Sequence, residues 1–337
     1  MRRKIMGPAV AATAALAMVA ACGGNTGAGA DGDEGPQDYG IVPLYTPRQG
    51  GTAYIVGGGI ANLVSEHVDG VQASVEATTG TQEMVQRLAE RQQTGEPAFS
   101  LMDTAGTLWA YEGQPPYEQE YTELRALAFA GNADLYMVAR ADSGIDEYAD
   151  LAGKTLGIGG PGSPTNLLTV EILAAHGLDE GDYTGEFLGY EDVVNGLSNG
   201  SIDAGVLAGS PPVAAYTELA TQEDVRIIPV DEQVAEELVA ESPYFYQGVV
   251  EGGQYPGVEQ EIPVMGFGTN LVTNADTPDD LVRRVIEVVY EYHDDLVAVH
   301  GSAEVMTPEN ATRAIGIPFH PAAEEYLSEQ GVDVGME

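Results

Sequence analysis

Residues 155–178 read TLGIGGPGSPTNLLTVEILAAHGL: a short β-like run, a glycine-rich turn, and a helix-like run stopped by Gly177. Gly157, Gly159 and Gly162 spell G-x-G-x-x-G between strand and helix, the setting that a dinucleotide-binding turn requires. In that fingerprint the helix begins around the second glycine, and the third packs it against the strand. Here Ser163 and Pro164 follow Gly162 and read as an N-cap and a first helical residue. The helix therefore starts beyond the third glycine. Asp182 supplies the acidic residue about 20 positions on, but a chain this acidic offers one almost anywhere. Two other readings stay open. The glycines serve a tight turn, or the helix start offers its free N–H groups to a small anion.

Outward from this segment, β-rich runs alternate with helical patterns, the signature of α/β units with mostly parallel strands. Strands are expected at 40–45, 71–76, 98–102, 124–130, 135–139, 155–158, 187–190, 202–207, 225–230 and 264–273. Helices are expected at 54–67, 81–93, 103–111, 166–176, 192–197, 213–219, 278–293, 308–314 and 321–329. Four small-residue turns lead into helices: PRQGGTAY (47–54), ATTGTQ (77–82), MDTAGT (102–107) and GGPGSPTN (159–166). Open α/β sheets bind ligands at the carboxyl ends of strands, so these turns are expected to converge on one anionic ligand.

The 337 residues suffice for about two domains. Acidic residues number 53 against 13 basic, a formal net charge of −40, which excludes nucleic acid as a partner because no basic stripe exists to displace counterions. Arg2, Arg3 and Lys4 precede an apolar, alanine-rich run ending in Val19-Ala20-Ala21-Cys22-Gly23. That run is short for a membrane span and reads as a signal peptide over 1–21. Its end resembles a bacterial lipobox, which implies cleavage before Cys22 and lipid attachment to its sulfur. Cys22 is the only cysteine, so no disulfide forms within the monomer. Residues 22–36, rich in Gly and Asp, read as a flexible tether. The expected product is exported, periplasmic or cell-surface, and anchored at Cys22.

Catalytic motifs fail on context. Gly196-Leu197-Ser198-Asn199-Gly200 fits G-x-S-x-G, but it ends a helix, whereas a nucleophile elbow joins strand to helix. The five histidines show no H-x-x-x-H spacing, and His176 before Gly177 reads as a helix C-terminal residue. No metal site and no cofactor are expected.

The segment 150–178, DLAGKTLGIGGPGSPTNLLTVEILAAHGL, resembles the signature of TAXI-type solute-binding proteins of TRAP transporters. The resemblance continues through SVEATTGTQEMVQRL (74–88), NGSIDAGVLAGSPPVAA (199–215), GGQYPGVEQEIPVMGFGTNLVTN (252–274), TPDDLVRRVIEVVYE (277–291) and IPFHPAAEEYLSEQGV (317–332). It implies an α/β, type II periplasmic-binding-protein fold, with two lobes around a ligand cleft and a two-crossing hinge. One lobe comprises 37–138 and 267–337, the other 139–266, and the chain crosses near Val138 and Gly266. The implied function is a non-enzymatic receptor that passes glutamate, glutamine or a 2-oxoglutarate-like dicarboxylate to TRAP membrane subunits. Carried over, Gly51, Thr52 and Tyr54 belong to the first ligand loop, Thr79, Gly80 and Thr81 to the second, and Asp103 and Thr104 to the third. Gly162, Ser163, Thr165 and Asn166 lie on the capping loop of the other lobe, with Ser210 and Tyr255 near its remaining contacts. Asn166 stands where the family commonly has an acidic residue. Arg48 and Lys154 lie near these loops as candidate charges or as surface residues. The alternatives are an exported NAD-dependent oxidoreductase and a tethered receptor for a sensor kinase.

Lysine occurs only at positions 4 and 154, and the acidic surplus is expected to reflect a salty environment. Self-repulsion of this size opposes compactness unless screened, and the Debye length falls to about 3 Å at 1 M salt. The melting temperature is therefore expected to climb steeply from about 0.1 to 3 M salt, a range crossing from weak to near-complete screening; a flat or falling curve in calorimetric scans would reject the idea.

Overall fold

Ten strands form a single sheet in the computed structural model, which describes residues 37–335 apart from 48 and 50. The signal peptide, the tether, Cys22 and Arg48 lie outside the described residues. The strands are β1 (Gly40–Thr46), β2 (Val71–Ala77), β3 (Phe99–Asp103), β4 (Leu124–Arg140), β5 (Thr155–Gly157), β6 (Thr184–Glu186), β7 (Ala204–Gly209), β8 (Val225–Ile227), β9 (Phe245–Val250) and β10 (Ile262–Asn274). The order is β2-β1-β3-β10-β4-β7-β5-β6, with β8 paired to β4 and β9 to β10. Helices α1 (Thr52–His67), α2 (Thr81–Thr94), α3 (Thr104–Glu112), α4 (Pro164–Ala175) and α5 (Tyr190–Asn199) connect the first strands. Helices α6 (Ala214–Gln222), α7 (Glu232–Glu241), α8 (Asp279–Glu291), α9 (His293–Val299) and α10 (Pro321–Glu329) follow.

Two parallel sets, β2-β1-β3 and β6-β5-β7, flank the antiparallel pair β4–β10. The sheet is thus mixed rather than mostly parallel. The two strands expected at 124–130 and 135–139 are one 17-residue strand, because pairing with β10 keeps Gly131–Asp134 extended. The strand expected at 187–190 is displaced: β6 ends at Glu186, and Tyr190 opens α5. Helices α7 and α9 and strand β9 were not anticipated, and of 308–314 only Pro308–Asn310 is helical, as one 3-10 turn.

Helix formation follows local sequence. In α8 the acidic Asp279 and Asp280 occupy the first turn, favourable to the helix dipole, and Leu281, Val282, Val285, Ile286 and Val289 recur on one buried face. Burying each such side chain contributes roughly 1.5–3 kcal/mol. The G-x-S-x-G segment ends α5, with Gly200 as its left-handed C-cap, so Ser198 is a helix-terminal residue. His176 caps α4 and stacks on Tyr148 at 3.9 Å. Its Nε2 accepts the Asp231 N–H at 3.3 Å, so Nδ1 carries the proton donated to the Ile172 carbonyl at 2.7 Å.

Apolar side chains gather in three clusters. The first draws on β1–β3, α1, α2 and α8–α10, together with Leu124–Leu127 and Ala130 of β4 and Leu271 and Val272 of β10. The second and third hold Leu135–Ala139 of β4 and Val264, Met265 and Phe267 of β10, with α4–α7. Core membership therefore changes within Gly131–Asp134 on β4 and Gly268–Asn270 on β10, beside a register shift at Thr269/Asn270. Tyr246 lies so close over β10 that a Cβ at Gly266 would fall 2.2 Å from its ring. The Tyr246 hydroxyl donates to Asp134 at 2.6 Å, and the Arg313 guanidinium stands 4.0 Å from the ring centroid.

Burial pushes the Asp134 carboxyl up to about 6, against the opposing pull of the Tyr246 hydrogen bond and the Arg313 charge. The native state then binds a proton more tightly than the unfolded chain, so this group's contribution to stability falls as pH rises from about 4 to 6 and is flat above. Asp134→Asn keeps an acceptor for Tyr246 and removes the buried charge. It is expected to raise unfolding free energy at pH 7 by about 1–2 kcal/mol, with the gain vanishing near pH 4, in urea titrations at both pH values.

Candidate functional site

A cavity of about 350 Å³ opens where α2, α3 and α4 begin. Its walls include Thr79, Gly80, Thr81, Asp103, Gly162 and Ser163, six of the residues singled out in the sequence. Each helix start has its own local cause. Ser163 caps α4 by accepting the Asn166 N–H at 3.2 Å, with Pro164 at the first helical position. Asp103 caps α3 by accepting the Gly106 N–H at 2.6 Å. Helix α2 starts after Gly80 and has no side-chain cap, so the first-turn N–H groups of Thr81 and Gln82 at the cavity wall have no partner among the described residues.

The glycine turn is shaped by the same helix. Gly159 and Gly162 have φ of +85° and +68°, and a Cβ at Gly159 would sit 3.0 Å from the Asn166 nitrogen. The Asn166 amide ties the turn together, donating to the Ile158 carbonyl at 3.1 Å and accepting the Gly162 N–H at 3.4 Å. A carboxylate at this position would lack the donor for Ile158. Thr165 is buried behind the turn with its hydroxyl 2.9 Å from that of Tyr190. Thr104 is buried too. Its hydroxyl donates to the Tyr244 carbonyl and accepts the Gly268 N–H, both at 3.1 Å, joining the start of α3 to β10.

Thr52 and Ser210 line a second, smaller cavity of about 150 Å³, with Asn132 and Thr269. Thr269 is the cross-strand partner of Asp103, which places the two cavities on neighbouring strands. Ser210 donates to the Asn132 carbonyl at 2.8 Å. Gly51 is the exposed N-cap of α1, and Tyr54 lines neither cavity. Tyr255 lies in the third apolar cluster, where its hydroxyl accepts the Val213 N–H at 2.6 Å and meets the Tyr136 hydroxyl at 3.2 Å. Lys154 precedes β5, at the opposite end of that strand from the glycine turn.

Sequence reading missed Trp109 and Tyr117, which face the larger cavity from α3 and from the loop after it. Trp109 is the only tryptophan in the chain, and that rarity was the one available signal. Burial pushes the Asp103 carboxyl up, while hydrogen bonds from Thr81 and Gly106 pull it back. Burial and then the Asp103 charge push the Tyr117 phenol above its ordinary value, and both residues line the cavity. No Lys, Arg or His is among the described residues lining this cavity.

The sequence profile of the NMT1-like family matches residues 44–331. The chain belongs to that family. Its fold is that of periplasmic binding proteins with two lobes. MatC from Rhodopseudomonas palustris, solved with bound malate, is similar at a TM-score of 0.52 and 15% identity, covering 86% of this chain and 97% of that one. The TctC solute-binding protein from Polaromonas is similar at 0.51 and 14%, covering 86% and 88%. The periplasmic aliphatic sulphonate binding protein SsuA from Escherichia coli is similar at 0.50 and 14%, covering 86% and 78%. At such identities the likeness concerns fold alone. The type II architecture expected from the sequence is thereby borne out, and this NMT1-like chain builds its larger cavity from helix starts.

Loss of one cap tests the local account. Ser163→Ala is expected to lower unfolding free energy by about 1 kcal/mol, read from urea denaturation. Ser163→Asn, which restores a capping oxygen, is expected to recover most of it.

Proposed function

We propose that this chain is the extracytoplasmic receptor of a TRAP-type carrier, anchored through Cys22, that captures a small carboxylate and delivers it to membrane subunits. The reading rests on one observation above the rest: the uncapped first turn of α2 presents free N–H groups to the same cavity that the starts of α3 and α4 line. A helix N-terminus favours negative charge, and its N–H groups hold a carboxylate without any cationic side chain. The volume lies at the small end of the range for ligand pockets, about 300–1,000 Å³, which suits a solute of glutamate, glutamine or 2-oxoglutarate size. Fold neighbours named for malate and aliphatic sulphonate add the precedent of small anions on this architecture.

Lobe I then comprises 37–138 and 267–337 and lobe II 139–266, with bending near Val138 and Gly266, a few residues from the changes of core membership in Gly131–Asp134 and Gly268–Asn270. Closure brings the glycine turn of α4 against α2 and α3, completing hydrogen bonds that each lobe alone only half supplies. The closed form is the signal that membrane subunits read. The chain performs no chemistry in this account, and no nicotinamide cofactor is needed.

Calorimetry against glutamate, glutamine, 2-oxoglutarate, succinate and NAD, with small-angle scattering of the complexes, tests the reading. At least one small carboxylate is expected to bind and reduce the radius of gyration. Tight NAD binding without response to any small acid would replace the receptor by an oxidoreductase.

A further inference from the structure

Two walls of the larger cavity do not suit a dianion. Asp103 presents a half-buried carboxyl, and Trp109 and Tyr117 present aromatic rings, with Pro116, Pro161 and Pro164 beside them. Both rings are held in place. Trp109 packs edge-on against Tyr244 at 5.9 Å, and the Tyr244 hydroxyl donates to Glu171 at 2.8 Å. Tyr117 meets Tyr121 edge-on, also at 5.9 Å. A carboxyl and two aromatic rings lining one cavity favour a positive charge, because the ring faces are negative as well.

The hydrogen-bond inventory refines which cation. A primary ammonium is strongly hydrated and carries three donors that need acceptors. Each Asp103 oxygen already accepts one bond, from Thr81 and from Gly106. A quaternary ammonium carries no donor. Its charge is spread over methyl groups that pack on ring faces and proline rings.

We propose that the solute is a betaine-type zwitterion, its alkylated ammonium seated between Trp109, Tyr117 and Asp103 and its carboxylate on the first turn of α2. The inference rests on the receptor reading and narrows its carboxylate class. The ligand's two charges, a few bonds apart, then match a cavity in which the uncapped start of α2 adjoins a carboxylate, Thr81 donating to Asp103. Dicarboxylates lack the positive end and leave Asp103 facing like charge.

Calorimetry with N,N,N-trimethylglycine, glycine, glutamate and 2-oxoglutarate at one fixed salt concentration tests it. Trimethylglycine is expected to bind at least tenfold tighter than any of the other three. Trp109→Ala and Asp103→Asn are each expected to weaken it at least tenfold, and Trp109→Phe less than Trp109→Ala. Asparagine also caps helices, so Asp103→Asn is expected to melt near the parent temperature, separating charge loss from unfolding. Wild-type affinity in Trp109→Ala or Asp103→Asn would overturn the assignment. Binding of glutamate or 2-oxoglutarate with no response to trimethylglycine would overturn it too, and leave the receptor intact. Silence from all four compounds and from the wider acid panel would sink both.

Discussion

The structure depends on one antiparallel pairing. Strands β4 and β10 run side by side from Leu124/Asn274 to Leu135/Met265, and every other strand hangs from this pair directly or through a neighbour. Because each is long enough to enter more than one apolar cluster, the same backbone hydrogen bonds that build the sheet also connect the halves. Small residues mark the passage. Gly266 and Gly268 leave room for the rings of Tyr246 and Phe129, which a Cβ at either position would strike.

Around that pair, the cavity is walled by helix starts rather than by cationic side chains among the described residues. An excess of acid leaves few cations to spend, and the described lining of the larger cavity contains none. Helix starts supply positive potential instead, at positions fixed by strand ends. Helix α3 also joins the cores, since its Ala105 and Leu108 belong to the second apolar cluster while Asp103 at its start belongs to a strand of the first half. The same helix thus supplies cavity wall and, through Ala110 in the first cluster, a contact between clusters.

Much of this was legible in the chain. Ser163-Pro164 announced the start of α4 and so argued against a dinucleotide turn, and the structure begins α4 at Pro164. The starts of α2 and α3 were equally visible from Gly80-Thr81 and Asp103-Thr104. What escaped depends on partners distant in sequence. Gly131-Asn132-Ala133-Asp134 separates two expected strands until β10 pairs with it. Phe187 looks like strand interior but is 59% exposed, while the polar Thr184–Glu186 forms the edge strand. Trp109 and Tyr117 belong to no motif; only the folding of α3 and its following loop brings them to the cavity.

The double passage of the chain has a consequence for biosynthesis. The first apolar cluster needs β1–β3 and also α8 and α10, so it cannot be completed until the ribosome has made nearly the whole chain. Most of the second and third clusters, built from residues 133–267, is available earlier. The middle of the polypeptide can therefore mature first, while the amino-terminal strands wait with apolar faces uncovered. A nascent chain in that condition is the species most exposed to aggregation and most in need of a chaperone. The two ends of the chain can become native only together, after its middle.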